Sequence, residues 1–342
     1  MKNKVFNSIV IFVSACIFLS FFLFTKGLTS IVQELKTLSP LWLISALILM
    51  VLFWIFEMLV LYVITKNFHK TDKLLIKCFH FEMVGVYFGA VTPFAAGSHP
   101  AQLYSMTESG VPAGVSGSIL MIKFMLHQFI NIAILILAFI FKFNYFHSNV
   151  PYFIYFFISG LIVHIIIMIF MILFSLNINL TKNILIFIFK ILKRVRLIKD
   201  TQDIYKKIEI ELGNFHENIS LIFKNKRMCI KASILTVLQW IAFFSIPYCI
   251  YRSYSFNSHD LFTMIAAQIF LINFMAIIPL PGAEGGAEGG FYLIYSLFFE
   301  NGTIITAIFI WRMLTYYLSI VAGSVFTLLI PNKNLKKKRE AK

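Results

Sequence analysis

Lys123 and Arg312 are cations placed where a membrane chain seldom keeps one. Each lies about ten residues into a long apolar run, roughly 15 Å deep at the helical rise of ~1.5 Å per residue. A charged group at that depth costs about 2.5–3.5 kcal/mol on insertion scales, so each needs a reason to be there. Each also follows a Pro/Gly-rich stretch of its own half by about thirty residues, the spacing expected of an inverted repeat. The first stretch is Thr92-Pro93-Phe94-Ala95-Ala96-Gly97-Ser98-His99-Pro100. The second is Pro279-Leu280-Pro281-Gly282-Ala283-Glu284-Gly285-Gly286, continuing through Glu288 to Gly290. Two cations meeting where two broken helices end would form an anion site, helped by the freed N–H groups and the helix dipoles. The anion a membrane supplies is a lipid phosphate. On this reading Lys123 and Arg312 hold phosphate, with Thr92, Pro93, Gly97, Pro279, Pro281, Gly282, Gly285 and Gly286 around the cavity.

The carboxylates admit a second account. Glu57, Glu82, Glu284 and Glu288 tune the charge of such a site, or they pair with the two cations and hold the bundle together. His127 stands one turn from Lys123 on the same helical face, whereas His164 has no ionisable neighbour in sequence and reads as a packing or hydrogen-bonding residue. The GxxxG pairs Gly85/Gly89 and Gly286/Gly290 serve close helix packing as readily as ligand contact. His80 and Glu82 make an HxE pair without a Cys partner motif, and no HExxH occurs, so no metal is expected. Walker, GxSxG and GxGxxG patterns are absent, which removes the common ATPase, serine-hydrolase and dinucleotide chemistries, and no cofactor is expected. The cysteines Cys16, Cys78, Cys229 and Cys249 are scattered and behave as small apolar residues.

The elements that must position these groups follow from composition. Hydrophobic residues make up 59% of 342 and charged residues 13%, with a mean hydropathy of +0.85. Soluble domains carry about a quarter charged residues, so the chain reads as an all-α polytopic membrane protein. The net charge of +15 sits between apolar runs and in the tail rather than on a soluble face. That argues for the positive-inside pattern and against a nucleic-acid partner. Full spans are expected over 5–25, 40–65, 113–141, 150–176, 228–251 and 302–330. The stretches 74–91 and 261–278 run into the Pro/Gly loops. Counting both as complete crossings leaves the basic segment 177–231 outside. Counting them as re-entrant hairpins entering from opposite faces puts 65–77, 177–231 and the tail 331–342 in the cytoplasm with both termini. Eight full spans with an imperfect charge rule is the alternative. The chain is expected to be one membrane domain over 1–342, with a basic linker over 177–228. Ile184, Leu185, Ile188, Leu192 and Val195 give residues 183–199 of that linker the pattern of an interfacial helix, or of a plain solvated or bundle-docked one, and 206–217 reads as a short extramembrane helix.

The loops also carry a resemblance. Phe88 to Gly97 with Gln102, Pro279 to Gly282 through Glu288, and Trp311-Arg312 resemble the lysylphosphatidylglycerol synthase transmembrane-region family. This is the flippase-like domain of bifunctional phosphatidylglycerol lysyltransferases, which confer resistance to cationic antimicrobial peptides. Gly97-Ser98 departs from the family's more frequent Gly-Gly. The resemblance implies a bacterial plasma-membrane protein that handles an anionic phospholipid or a polyprenyl phosphate, with Gln102 among the cavity residues. It also implies two rivals to lipid translocation: lysyl transfer to phosphatidylglycerol, and a non-transporting partner of a lipid-modifying enzyme. The chain ends at Lys342 soon after the last span. No acyltransferase-like domain is therefore expected, and the transfer reaction is expected to be absent.

Overall fold

The structure, a computed structural model, describes residues 26–194, 202–222, 225–300 and 302–329, and all its regular elements are helices. In chain order these are α1 (Leu28–Leu35), α2 (Pro40–Phe68), α3 (Leu74–Ala90), α4 (Ser98–Glu108), α5 (Ala113–Asn149), α6 (Phe153–Leu176), α7 (Ile178–Arg194) and α8 (Gln202–Ile222). There follow α9 (Lys226–Phe244), α10 (Ile246–Ser253), α11 (Leu261–Met275), α12 (Gly286–Tyr295), α13 (Ile304–Arg312), a π turn (Met313–Tyr317) and α14 (Leu318–Thr327). Among the described residues, five stretches are long and apolar enough to cross a bilayer: Pro40–Phe68, Ala113–Asn149, Phe153–Leu176, Lys226–Ser253 and Ile304–Thr327. The protein is thus an all-α, multi-pass membrane protein. The expected span over 5–25 and the basic tail lie outside the described residues.

Two boundaries differ from the sequence expectation. The span starting at Ala113 does not stop near 141 but continues as one helix of 37 residues to Asn149. At ~1.5 Å per residue that is ~55 Å, well beyond a hydrocarbon core of ~30 Å. Lys142 on this extension donates to Thr263 Oγ1 at 2.7 Å and lies 3.8 Å from Asp260, tying it to the start of α11. The span over 228–251 is interrupted at Ser245, where Pro247 follows at the start of α10. Its ring and missing N–H prevent an unbroken ladder.

α3 with α4, and α11 with α12, form two helix–turn–helix hairpins. Their return arms are short: α4 has 11 residues and α12 has 10. Such arms reach only ~15–16 Å, half the bilayer. The two turns have one conformation. Phe94 and Ala95 take φ of 53° and 54°, and their counterparts Gly282 and Ala283 take 59° and 52°. Ala96 N–H donates to Pro93 O at 3.0 Å, and Glu284 N–H donates to Pro281 O at 3.3 Å. Positive φ at both central residues is the type I′ signature. The turns meet each other, Pro93 pairing with Pro281 in an isolated antiparallel bridge. Proline has no N–H, so this pairing has to run through the flanking amides. An antiparallel pair between equivalent positions carries a local two-fold axis, and the surrounding helices respect it. α3 packs on α14 as α11 packs on α5, while α2 and α9, which open the two repeats, pack on each other.

The glycine pairs hold the hairpins shut. A Cβ on Gly85 would meet the Gln102 side chain at 2.2 Å, and one on Gly290 would meet Leu271 at 2.8 Å. Each pair therefore faces the opposite arm of its own hairpin. The linker forms α7 directly after α6 and then α8, with Lys182 Nζ donating to Glu209 at 2.8 Å. That hydrogen bond holds the Glu209 carboxyl below its ordinary value. Of the expected interfacial helix, residues 195–199 lie outside the described residues, and α8 is longer than the expected 206–217.

Candidate functional site

Arg312 ends α13 at the junction with the π turn, a distortion that recurs at functional sites. Its side chain is 1% exposed. Nη1 donates to Gly282 O at 2.9 Å, in the turn of the second hairpin. Nε lies 2.6 Å from Glu288 Oε1, an ion pair whose angle is not that of a directed hydrogen bond, and Nη2 is buried without a partner. The other carboxylate oxygen of Glu288 accepts the Gly285 N–H at 2.7 Å. Glu288 thus closes the first turn of α12 and aligns the guanidinium at once.

Tyr316 completes the junction. The Arg312 guanidinium lies 4.4 Å from its ring centroid. Its hydroxyl donates to Ala90 O at the end of α3 at 3.2 Å. A Cβ on Gly282 would sit 2.3 Å from its ring. One aromatic residue therefore touches the last span, the first hairpin and the second. The sequence reading missed it. The only signal was an aromatic residue four positions after a buried arginine.

Lys123 belongs to a different cluster, in the first repeat. Its Nζ donates to both Glu82 oxygens at 2.6 Å and to Glu57 Oε1 at 3.1 Å, joining α5 to α3 and α2. Gln102 Nε2 on α4 donates to Glu82 Oε2 at 2.8 Å. Lys123 is 3% exposed and Glu82 1%. Among the described residues Lys123 and Arg312 share no hydrogen-bond or ion-pair partner. Each cation is paired with carboxylate in its own repeat. The three N–H donors of the Lys123 ammonium are directed at its two carboxyl groups, which leaves none for a phosphate while they stay in place.

The remaining expected residues take supporting places. Thr92 Oγ1 accepts the Gly97 N–H at 2.8 Å and donates to Phe88 O at 2.6 Å, bracing the first turn. Pro279 precedes the second turn, and Gly286 packs where a Cβ would strike Ile278. Glu284 closes that turn with its backbone N–H. The His127 ring lies against Trp240, centroids 4.6 Å apart and planes tilted by 53°. His164 is not isolated in space. Gln128 Nε2 lies 2.6 Å from its Nδ1, and Asn131 Nδ2 lies 3.4 Å from its Nε2. Asn131 also donates to Asn273 of α11 at 3.1 Å, carrying the polar row from the first repeat to the second. Among the described residues no group of His, Cys, Asp and Glu is arranged to hold a metal ion.

The family model for the lysylphosphatidylglycerol synthase TM region matches residues 7–323. A UPF0104 membrane protein of Archaeoglobus fulgidus is 25% identical over 309 residues, covering 85% of this chain and 87% of that protein. No solved structure matches the chain.

Proposed function

Because the chain belongs to the lysylphosphatidylglycerol synthase transmembrane-region family, we propose that it is a flippase-like transporter which carries a lipid phosphate headgroup past the paired hairpin turns. The observation behind this reading is Arg312. It is a buried cation at the meeting of two broken-helix turns, with one guanidinium nitrogen unpartnered. Arginine stays charged in any membrane environment and offers phosphate a planar fork. Gly282 O and Glu288 fix one part of that fork, and Nη2 is left for a phosphate oxygen. Glu288 and the phosphate then compete for one guanidinium. As the headgroup arrives, Glu288 slackens its hold on Arg312 while retaining the Gly285 N–H, which keeps the turn folded as charge is exchanged. Lys123 joins the phosphate only by releasing a carboxylate, so its main part is to clamp α3 against α2 and α5. Rocking of one repeat against the other about the pseudo-two-fold axis opens the turns to each leaflet in turn. The basic linker and tail face the cytoplasm, as the positive-inside rule requires.

Headgroup translocation in proteoliposomes tests this, with the folded fraction of each variant checked in parallel. Arg312→Ala is expected to stop translocation of a fluorescent anionic phospholipid, and Arg312→Lys to retain part of it. Wild-type rates in folded Arg312→Ala would remove the site. Lysylphosphatidylglycerol in the membranes of a host expressing this chain alone would replace the transporter with the lysyltransferase. None is expected.

A further inference from the structure

A cavity of about 750 Å³ lies away from Arg312, between the return arm of the first hairpin, α5, α6 and the two linker helices. The rings of His99, Phe124, Phe174 and Phe215 and the side chains of Leu185 and Leu212 contribute to its wall. Among the described residues no lysine or arginine lines it, and the one carboxylate in that lining, Glu211, is already used. Its Oε2 accepts the Gly114 N–H at 2.5 Å, capping the first turn of α5 across from α8. The described lining offers a phosphate no cation.

We infer that the cavity seats the hydrocarbon tail of a membrane lipid, a site separate from the headgroup site and independent of whether translocation occurs. The volume is in the range of ligand cavities, ~300–1,000 Å³. α7 supplies the argument for the occupant. Thr181 and Leu185 on its inner side line the cavity, while Phe187 and Ile191, turned away from them by the helical period, are exposed on its outer side. An amphipathic helix with apolar residues on its outer side lies against hydrocarbon. The cavity is therefore separated from the acyl region by a single helix and is entered by what that region contains. An apolar chain in an apolar cavity gains close dispersion contacts without stranding a polar group. His99 adds one neutral hydrogen-bonding group, its Nδ1 being buried without a partner. That suits an ester or hydroxyl oxygen near the head of the chain. His99 and Pro100 open α4 immediately after the hairpin turn, so an occupied cavity buttresses that turn.

Photo-crosslinking decides the matter. The full-length protein is reconstituted in phosphatidylglycerol/phosphatidylethanolamine vesicles containing a phospholipid with a terminal diazirine on one acyl chain. A parallel arm uses a diazirine-bearing polyprenyl phosphate. Adducts are expected on peptides covering 117–124 and 211–215, and the arm that yields them identifies the tail as acyl or prenyl. A Cβ on Gly117 would make only ordinary contact with Phe215, nearest atom 3.5 Å away. Gly117→Ala should therefore leave the yield intact. Gly117→Trp fills the cavity and should lower it about tenfold, the scale on which overpacking acts. Leu185→Trp, from the opposite wall, should do the same. Adducts on the lipid-exposed face of α6, at Ile165 and Ile169, report that each variant is folded and should not change. Adducts confined to that face in both arms would overturn the inference, as would a cavity yield indifferent to both tryptophans. Neither result bears on the Arg312 transport test.

Discussion

Burying Lys123 beside Glu57 and Glu82 gives that lysine a structural weight which its position in sequence did not disclose. Removing it strands two carboxylates at a site where Glu82 is 1% exposed. Breaking a buried ion pair from one side costs about 3–5 kcal/mol, more than the intact pair contributes. Lys123→Ala is accordingly expected to destabilise the protein by about that amount, measured by denaturant unfolding in detergent. The triple replacement Lys123→Met, Glu57→Gln and Glu82→Gln should recover most of the loss, since no charge is left unpaired. A triple variant no more stable than Lys123→Ala would show that the cluster is not held by charge pairing. The sequence exposed the charged members of both clusters because intramembrane ionisable residues stand out. It offered the carboxylates as partners without assigning each to its cation. Glu284 and Glu288 are four residues apart in a glycine-rich stretch, and only the start of α12 decided that Glu288 reaches Arg312.

At the scale of elements, the two hairpins were legible because Pro and Gly interrupt an apolar run in each half. The conformation of their turns was not. Thr92-Pro93-Phe94-Ala95 and Leu280-Pro281-Gly282-Ala283 share only Pro and Ala, yet they adopt the same pair of left-handed residues. Phe94 and Ala95 resist that region by about 1–2 kcal/mol each, so the pairing of the turns, rather than local preference, holds them there. Gly282 is the position where the requirement is doubled, by φ of 59° and by the Tyr316 ring 2.3 Å from any added Cβ. Gly282→Ala should abolish translocation and lower stability. Adding Tyr316→Ala should restore part of the stability by removing the clash. Gly285→Ala meets no neighbour, so its cost of about 1–3 kcal/mol comes from the backbone alone, held at φ 78° and ψ −51°, a strained conformation for a residue with a Cβ. A Gly282→Ala variant that recovers no stability when Tyr316→Ala is added would mean that the Tyr316 contact does not shape the turn.

For the molecule as a whole, the deciding feature is that the two turns touch. Residues 94 and 280 flank the Pro93–Pro281 pair and are exposed, Phe94 at 60% and Leu280 at 49%. Paired strands bring Cα atoms to within ~5.5 Å, inside disulfide reach. With Cys16, Cys78, Cys229 and Cys249 replaced, Phe94→Cys with Leu280→Cys should form an intramolecular disulfide under mild oxidant. The link should stop translocation and release it on reduction. Free thiols labelled from opposite sides of the membrane would instead place the turns at the two surfaces and end the re-entrant architecture.

The sequence by itself determined the class of molecule. A mean hydropathy of +0.85 and apolar runs of bilayer length leave a polytopic helical membrane protein as the consistent fold, and the Pro/Gly interruptions mark where two helices break. Which groups face each other was decided by the tertiary structure alone. Whether Arg312 meets a second cation or a carboxylate, and whether a linker helix roofs a cavity, depends on the rotation and depth of packed helices. In a chain whose helices are apolar on nearly every face, periodicity does not encode those quantities.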